Sequence, residues 1–78
     1  MERDRDYPIV RRVHLIEARE RLGLSRPELA DQLKLSRAYV FRVEEGMRRP
    51  SLPAMIRWAR RLNVSMDVFR DDNQPFAA

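Results

Sequence analysis

The chain has 78 residues, enough for one small domain, since a typical domain has about 100–150 residues. It contains no cysteine, which excludes disulfides, thiolate metal ligands and a redox role, and its small core makes self-association a reasonable expectation. Lys and Arg number 16 against 12 Asp and Glu, a net charge of +4, and every basic residue except Lys34 is arginine. Arginine suits phosphate and guanine edges, so the composition points to nucleic acid, although an arginine-rich soluble surface explains it equally well.

Other classes of protein are not supported by the sequence. The first six residues are alternately charged and lack the apolar region of a secretory signal, and no apolar run approaches the ~20 residues of a membrane span. His14 is the one histidine, which excludes a histidine metal site, and Gly23 and Gly46 form no phosphate-binding loop. We therefore expect a cytoplasmic protein that is not an enzyme and that uses no metal, cofactor or membrane.

The first helix is predicted over residues 7–22, because Asp6 can cap its start, Pro8 is tolerated in its first turn and Gly23 ends it. Its apolar residues form two nearly opposite stripes. Such a helix is either packed on both sides or offers one side to a partner protein. The stripe that a partner protein would contact consists of Ile9, Val13 and Ile16.

Serine residues predict the starts of four further helices, because a serine oxygen can accept a hydrogen bond from an early helical N–H. Ser25 and Glu28 have the spacing of a capping box, and Ser36, Ser51 and Ser65 begin the later helices. The predicted helices span residues 26–33, 37–45, 52–62 and 66–70, and the tail 71–78 is expected to be frayed.

The third predicted helix has a buried and an outward side. At 100° per residue, Val40 and Val43 turn toward the core. The residues at its start or on its outward side are Arg37, Ala38, Phe41, Arg42 and Glu45. An arginine can bond guanine O6 and N7 together, and Phe41 either contacts a thymine methyl group or tucks against the bundle edge.

Short motifs follow one another in a fixed order between Leu15 and Phe69. They are Arg19 four residues before Gly23, Leu24-Ser25-x-x-Glu28-Leu29-Ala30, Leu35-Ser36-Arg37, Val40 with Val43, Glu44 before Gly46, Pro50-Ser51-Leu52, and Leu62-Asn63-Val64-Ser65-x-Asp67. In this order and spacing the chain resembles the phage-repressor-like (XRE) helix-turn-helix family of small DNA-binding transcriptional regulators.

The resemblance implies an all-α fold, a single five-helix helix-turn-helix domain over residues 1–78, whose third helix enters the major groove of double-stranded DNA. Base readout is then expected from Arg37, Ala38, Phe41 and Arg42. Phosphate contacts are expected from Ser25, Arg26, Ser36, Tyr39, Arg48, Arg49 and Ser51. The family often has glutamine where Arg26 stands, so that contact becomes charge-assisted here.

Two neighbouring glutamates are expected to differ in role. The resemblance implies that Glu44 pairs with Arg19 on the first helix and that this ion pair is structural. Glu45 stands where a carboxylate would be repelled by phosphate. It is expected to accept from cytosine N4 or to pair with Arg42 or Arg49.

Members of the family commonly pair through their C-terminal helices, which implies a homodimer on a pseudo-palindromic operator. The candidate dimer residues are Trp58, Val64, Met66, Val68 and Phe69, with the core edge as the other interpretation of Trp58. Such a regulator, for example a repressor, would be cytoplasmic and associated with the nucleoid when bound to DNA.

Two alternatives use the same fold. The first is a protein-binding module of the antitoxin or antirepressor type, acting through Ile9, Val13 and Ile16. The second is non-specific nucleic-acid coating or RNA binding. Few lysines and no exposed aromatic stacking platform speak against the second.

Overall fold

The computed structural model describes residues 10–70, and none of them lies in a strand. The helices are α1 (Val13–Arg21), α2 (Arg26–Leu33), α3 (Arg37–Glu44) and α4 (Leu52–Leu62), followed by a 3₁₀ helix over Met66–Phe69. The described chain is therefore all-helical, as predicted, but its fifth helix is a single 3₁₀ turn rather than an α-helix. The segment after Ser65 is too short for more than i→i+3 bonds, such as Val68 N to Ser65 O at 3.2 Å.

The first helix begins at Val13, so the predicted start at residue 7 is wrong. Residues 10–12 are not helical, because Arg12 is committed to a tertiary contact in which its backbone N–H donates to the Glu44 carbonyl at 2.8 Å. Asp6, which was predicted to cap the first helix, and the tail 71–78 lie outside the described residues.

Serine caps begin the remaining helices. The Oγ of Ser25, Ser36 and Ser51 accepts from the backbone N–H of the third residue of α2, α3 and α4, and Ser65 Oγ accepts from Asp67 N. The predicted capping box is present, since Ser25 N also donates to Glu28 Oε1 at 2.8 Å. These four local signals fix where each helix starts, and the short turn between α2 and α3 follows from them.

Trp58 lies at the centre of the core and is fully buried. Its ring meets Phe69 edge-on at 5.6 Å and lies 6.4 Å from Tyr39. The small and aliphatic residues around it are Leu15, Ala18, Leu29, Ala30, Leu33, Val40, Val43, Ala59 and Leu62. Trp58 and Phe69 fill the core of one chain and present almost no surface to a second copy, so their burial favours a role in the core over the predicted role as dimer contacts.

The position of α3 is fixed from outside the helix-turn-helix by the segment before α1. The buried Arg12 guanidinium donates to the carbonyls of Val43, Arg48 and Phe69, joining the end of α3, the following loop and the 3₁₀ helix. At Gly46, φ is +81° and a Cβ would lie 2.0 Å from the Val10 carbonyl oxygen. No helix within residues 10–70 has the length and apolar character needed to cross a membrane.

Candidate nucleic-acid interface

The outward side of α3 is exposed and largely unengaged. Val40 and Val43 are fully buried, whereas Arg37, Ala38 and Arg42 are exposed. Neither the Arg37 nor the Arg42 guanidinium makes a hydrogen bond or ion pair with other described residues, so these donors are available on the exposed side. Eight residues at about 1.5 Å each make α3 about 12 Å long, comparable with the width of the DNA major groove.

One flank of α3 is built from Tyr39, Arg48 and Ser51. The Tyr39 hydroxyl oxygen accepts from Ser51 N at 3.0 Å, which ties the start of α4 to α3. The Arg48 guanidinium carbon lies 5.1 Å from the centre of the Tyr39 ring. Ser51 Oγ accepts from Ala54 N at 3.3 Å. Both hydroxyls therefore keep a hydrogen to donate, beside a cation, which is the chemistry that a phosphate oxygen accepts.

The N-termini of α3 and α2 carry similar hydroxyl groups. Ser36 Oγ accepts from Tyr39 N at 3.0 Å, so this serine keeps its hydroxyl hydrogen. Ser25 Oγ accepts from Glu28 N at 3.1 Å. At α2, however, Glu28 already occupies the Ser25 backbone N–H. This N–H and the Ser25 hydroxyl lower the pKa of Glu28, which keeps its carboxylate charged at the start of α2.

Arg26, predicted to contact phosphate, lies within an ion-pair network. Its Nε donates to Glu44 Oε1 at 2.7 Å and its Nη2 to Glu45 Oε2 at 2.6 Å. Its guanidinium carbon lies 4.9 Å from the centre of the Phe41 ring. Partial burial lowers the pKa of Arg26, but the bonds to Glu44 and Glu45 outweigh burial and raise it overall.

The structure brings Arg19 and Glu44 together inside the protein. Arg19 Nε and Nη2 donate to the two Glu44 carboxylate oxygens at 2.8 and 3.2 Å, and Arg19 Nη1 donates to the Leu24 carbonyl at 2.8 Å. Glu44 is 0% exposed and Arg19 is 8% exposed. With Arg26 as its third donor, the Glu44 carboxylate connects α1, α2 and α3.

Glu45, the C-cap of α3, bonds to Arg26 and to Arg11. The sequence predicts cytosine N4, Arg42 or Arg49 as its partner and gives no sign of these two arginines. Arg11 Nε and Nη2 donate to its two oxygens at 2.9 and 3.2 Å. Hydrogen bonds from Arg26 and then Arg11 lower the pKa of Glu45. Arg11 was missed because residues 10–12 were predicted to be helical, and helical periodicity gives no sign of a contact made 34 residues away.

The apolar stripe on the first helix is divided by the fold. Ile16 is buried, Val13 is 47% exposed and Ile9 lies outside the described residues. Beside Val13 is a cleft of about 290 Å³ lined by Val10, Val68 and several charged side chains. Of the remaining dimer candidates, Val64 and Val68 pack partly against the core and Met66 is 38% exposed.

Comparison with known proteins identifies the family of this fold. Residues 15–69, more than two thirds of the chain, match the family model described as helix-turn-helix. Neither the curated proteins nor the solved structures gave a significant match. The matched range contains α2, α3 and the flank formed by Tyr39, Arg48 and Ser51. The chain belongs to the XRE-like helix-turn-helix family, and this membership indicates a DNA-binding regulator.

Proposed function

We propose that this protein is a sequence-specific transcriptional regulator that binds double-stranded DNA as a homodimer, with α3 in the major groove of each half-site. The observation that carries the proposal is the outward side of α3. Its arginines are exposed and unengaged, and hydroxyl and guanidinium donors stand beside it. The exposed side is therefore suited to base edges and its flank to phosphates.

Base readout is assigned to α3. A groove-inserted helix reads bases with its N-terminal residues, which makes Arg37 the first candidate and Arg42, one and a half turns later, the second. Each can bond guanine O6 and N7 together. Ala38 lies between them, where a small side chain permits close approach.

Phosphate binding is assigned to the residues around α3. The hydroxyls of Ser36, Tyr39 and Ser51 keep a hydrogen to donate, and Ser25 stands exposed at the start of α2. Arg48 and Arg49 supply charge from the exposed loop before α4. These contacts orient the helix but carry no sequence information, so their loss is expected to weaken binding to all duplexes alike.

A second copy would place two α3 helices in successive major grooves, about 34–36 Å apart. Met66, with Val64 and Val68 beside it, remains the candidate surface for pairing. The regulator would act in the cytoplasm, associated with the nucleoid, and repress by occupying its operator.

The test is selection of binding sites from randomised duplexes, followed by affinity measurements on the winner and on random DNA across a salt series. An inverted repeat bound ~10³-fold or more above random DNA supports the proposal. Arg37→Ala is expected to weaken binding to the operator selectively, whereas the control Arg60→Ala is expected to change little. Arg60 is exposed and lies about 13 Å along α4 from Ser51. Absence of any enriched site contradicts the proposal.

A protein-binding function of the antitoxin or antirepressor type is the second candidate, favoured by the exposure of Val13 beside the cleft. Val13→Lys distinguishes the two. Loss of regulation in cells with unchanged operator affinity would favour a protein partner, whereas unchanged regulation would count against one.

A further inference from the structure

We propose that Arg26 is a positioning residue, which holds the Phe41 ring so that it reads the C5 methyl group of a pyrimidine in the major groove. The inference rests on the proposed function and deepens it. It assigns a chemical target to Phe41 and replaces the phosphate contact expected of Arg26. Thymine and 5-methylcytosine both carry this methyl group.

Phe41 is the apolar side chain on the outward side of α3. It is 43% exposed, although Val40 and Val43 on the other side of the helix are fully buried. It follows Ala38 by three residues, so the two lie one above the other on the same face. An aromatic ring in this place can contact a pyrimidine methyl, which is the apolar feature that the major groove presents.

The ring is held by a guanidinium that is itself held. Arg26 lies over Phe41 at 4.9 Å and donates to Glu44 and Glu45 at 2.7 and 2.6 Å. Glu44 has no exposed surface and is fixed a second time by Arg19 on α1. Short hydrogen bonds therefore connect the core through Glu44 to Arg26, and the cation–π contact of Arg26 holds one face of the ring in place.

A ring fixed in this way is suited to recognition by shape. Contact between a methyl group and a ring consists of many weak dispersion terms that fall off steeply with distance. Such contacts discriminate only when the surface does not move away, and a ring already immobilised loses little freedom on binding. Arg26 supplies this immobility from the side, leaving the exposed part of the ring for DNA.

The same bonds make Arg26 a weak attractant for phosphate. Two carboxylates lie within hydrogen-bond distance of its guanidinium, and a phosphate approaching Arg26 would meet both. No carboxylate of residues 10–70 contacts the Arg48 guanidinium, which lies over the Tyr39 ring. Arg26 should therefore contribute to methyl discrimination but little to the dependence of affinity on salt.

The experiment uses the operator obtained by selection, with each thymine replaced in turn by deoxyuridine, which removes only the methyl group. At one position in each half-site, wild-type protein is expected to lose about 3–10-fold in affinity, the effect of burying about one methyl group. Phe41→Ala should bind the thymine and deoxyuridine duplexes within about 2-fold of each other. Arg26→Lys keeps the charge but not the planar group, and should lose most of the discrimination with an unchanged salt slope.

Controls separate this inference from the proposed function. Arg60→Lys, an exposed arginine elsewhere, is expected to keep the full methyl effect, and the fluorescence of buried Trp58 verifies that each variant is folded. A selected operator that tolerates deoxyuridine at every position overturns the inference while leaving the regulator function intact. So does an Arg26→Lys variant that keeps full discrimination, or one whose salt slope falls by about one unit.

The two sources of the methyl group are separated at the responsive position. That base pair is changed to cytosine·guanine with and without a 5-methyl group on the cytosine. Tighter binding of the methylated duplex supports recognition of the methyl on either base. Equal binding restricts the ligand to thymine and supports the inference in that form.

Discussion

Removing the negative charge of Glu44 tests whether the buried ion pair holds the fold together. In Glu44→Gln, the Arg19 guanidinium loses a carboxylate that it contacts at 2.8 and 3.2 Å, in a place where it is only 8% exposed. Breaking a buried pair in this way leaves an uncompensated charge and costs roughly 3–5 kcal/mol. A chain of this length is expected to have only about 4–12 kcal/mol of total stability.

The loss should therefore be large in a thermal melt. For a domain of this size each kcal/mol lowers the melting temperature by roughly 4–8 °C, so Glu44→Gln is expected to melt at least about 12 °C below wild type. Trp58 is the chain's one tryptophan and is fully buried, so its fluorescence reports unfolding in urea or on heating.

Two further variants make the reasoning refutable. Glu20→Gln, an exposed glutamate on α1, should change stability by less than about 0.5 kcal/mol. The double variant Arg19→Met with Glu44→Leu should recover much of the loss, because removing both charges leaves neither one buried without a partner. A loss below about 1 kcal/mol in Glu44→Gln would show that the Arg19 guanidinium reaches water when its partner is removed, and that the pair does not hold the helices.

Three further predictions concern the turn after α3, the stability of the protein in acid and the proposed DNA-binding surface. In urea unfolding, Gly46→Ala should destabilise the protein by at least about 2 kcal/mol more than Gly23→Ala. Both glycines have positive φ, but only at Gly46 would a Cβ meet backbone, at 2.0 Å from the Val10 carbonyl oxygen. Equal losses would show that the Val10 segment does not pack against this turn. The pKa of Glu45 is lowered in the folded state by Arg26 and then Arg11, so its stabilisation is present above the unfolded value near 4.5 and is lost as the pH falls below it. Glu45→Gln should therefore flatten the acid limb of a urea-midpoint series from pH 6 to pH 3, and an unchanged limb would contradict this. Arg48→Ala should weaken binding to the operator and to random DNA alike and lower the salt slope by about one unit. Arg37→Ala should cost about 1–3 kcal/mol of binding free energy on the operator and relax the preference at one base pair. Equal losses on the two duplexes for Arg37→Ala would contradict its role in base readout.

The features that sequence reasoning reached are those specified locally. A serine followed by a helix-compatible stretch predicts where a helix begins, and Ser25, Ser36 and Ser51 each cap a helix in the structure. The burial of Val40 and Val43 follows from helical periodicity alone.

The features that it missed depend on residues far apart in the chain. Arg11 and Arg12 read as part of an amphipathic helix, but their partners on α3 and beyond lie 31 to 57 residues away. The ion pairs of Arg26 were likewise missed, because nothing near it in sequence shows that two glutamates 18 and 19 residues later will approach its guanidinium. Charge counted along a chain does not reveal which charges neutralise one another after folding.

The arginines therefore divide into two groups that net charge does not distinguish. Arg12 and Arg19 are buried and bond to carbonyls or carboxylates, and Arg26 is half-buried between two glutamates. Arg37 and Arg42 are exposed on α3. Lysine cannot supply the several directed N–H donors that the first group uses at once, nor the two-pronged bond to guanine that we propose for the second. The arginine bias of this chain thus has a structural cause as well as the proposed DNA-binding one, because the segment before α1 and the glutamates at the end of α3 are held by the same residue type that we assign to base readout.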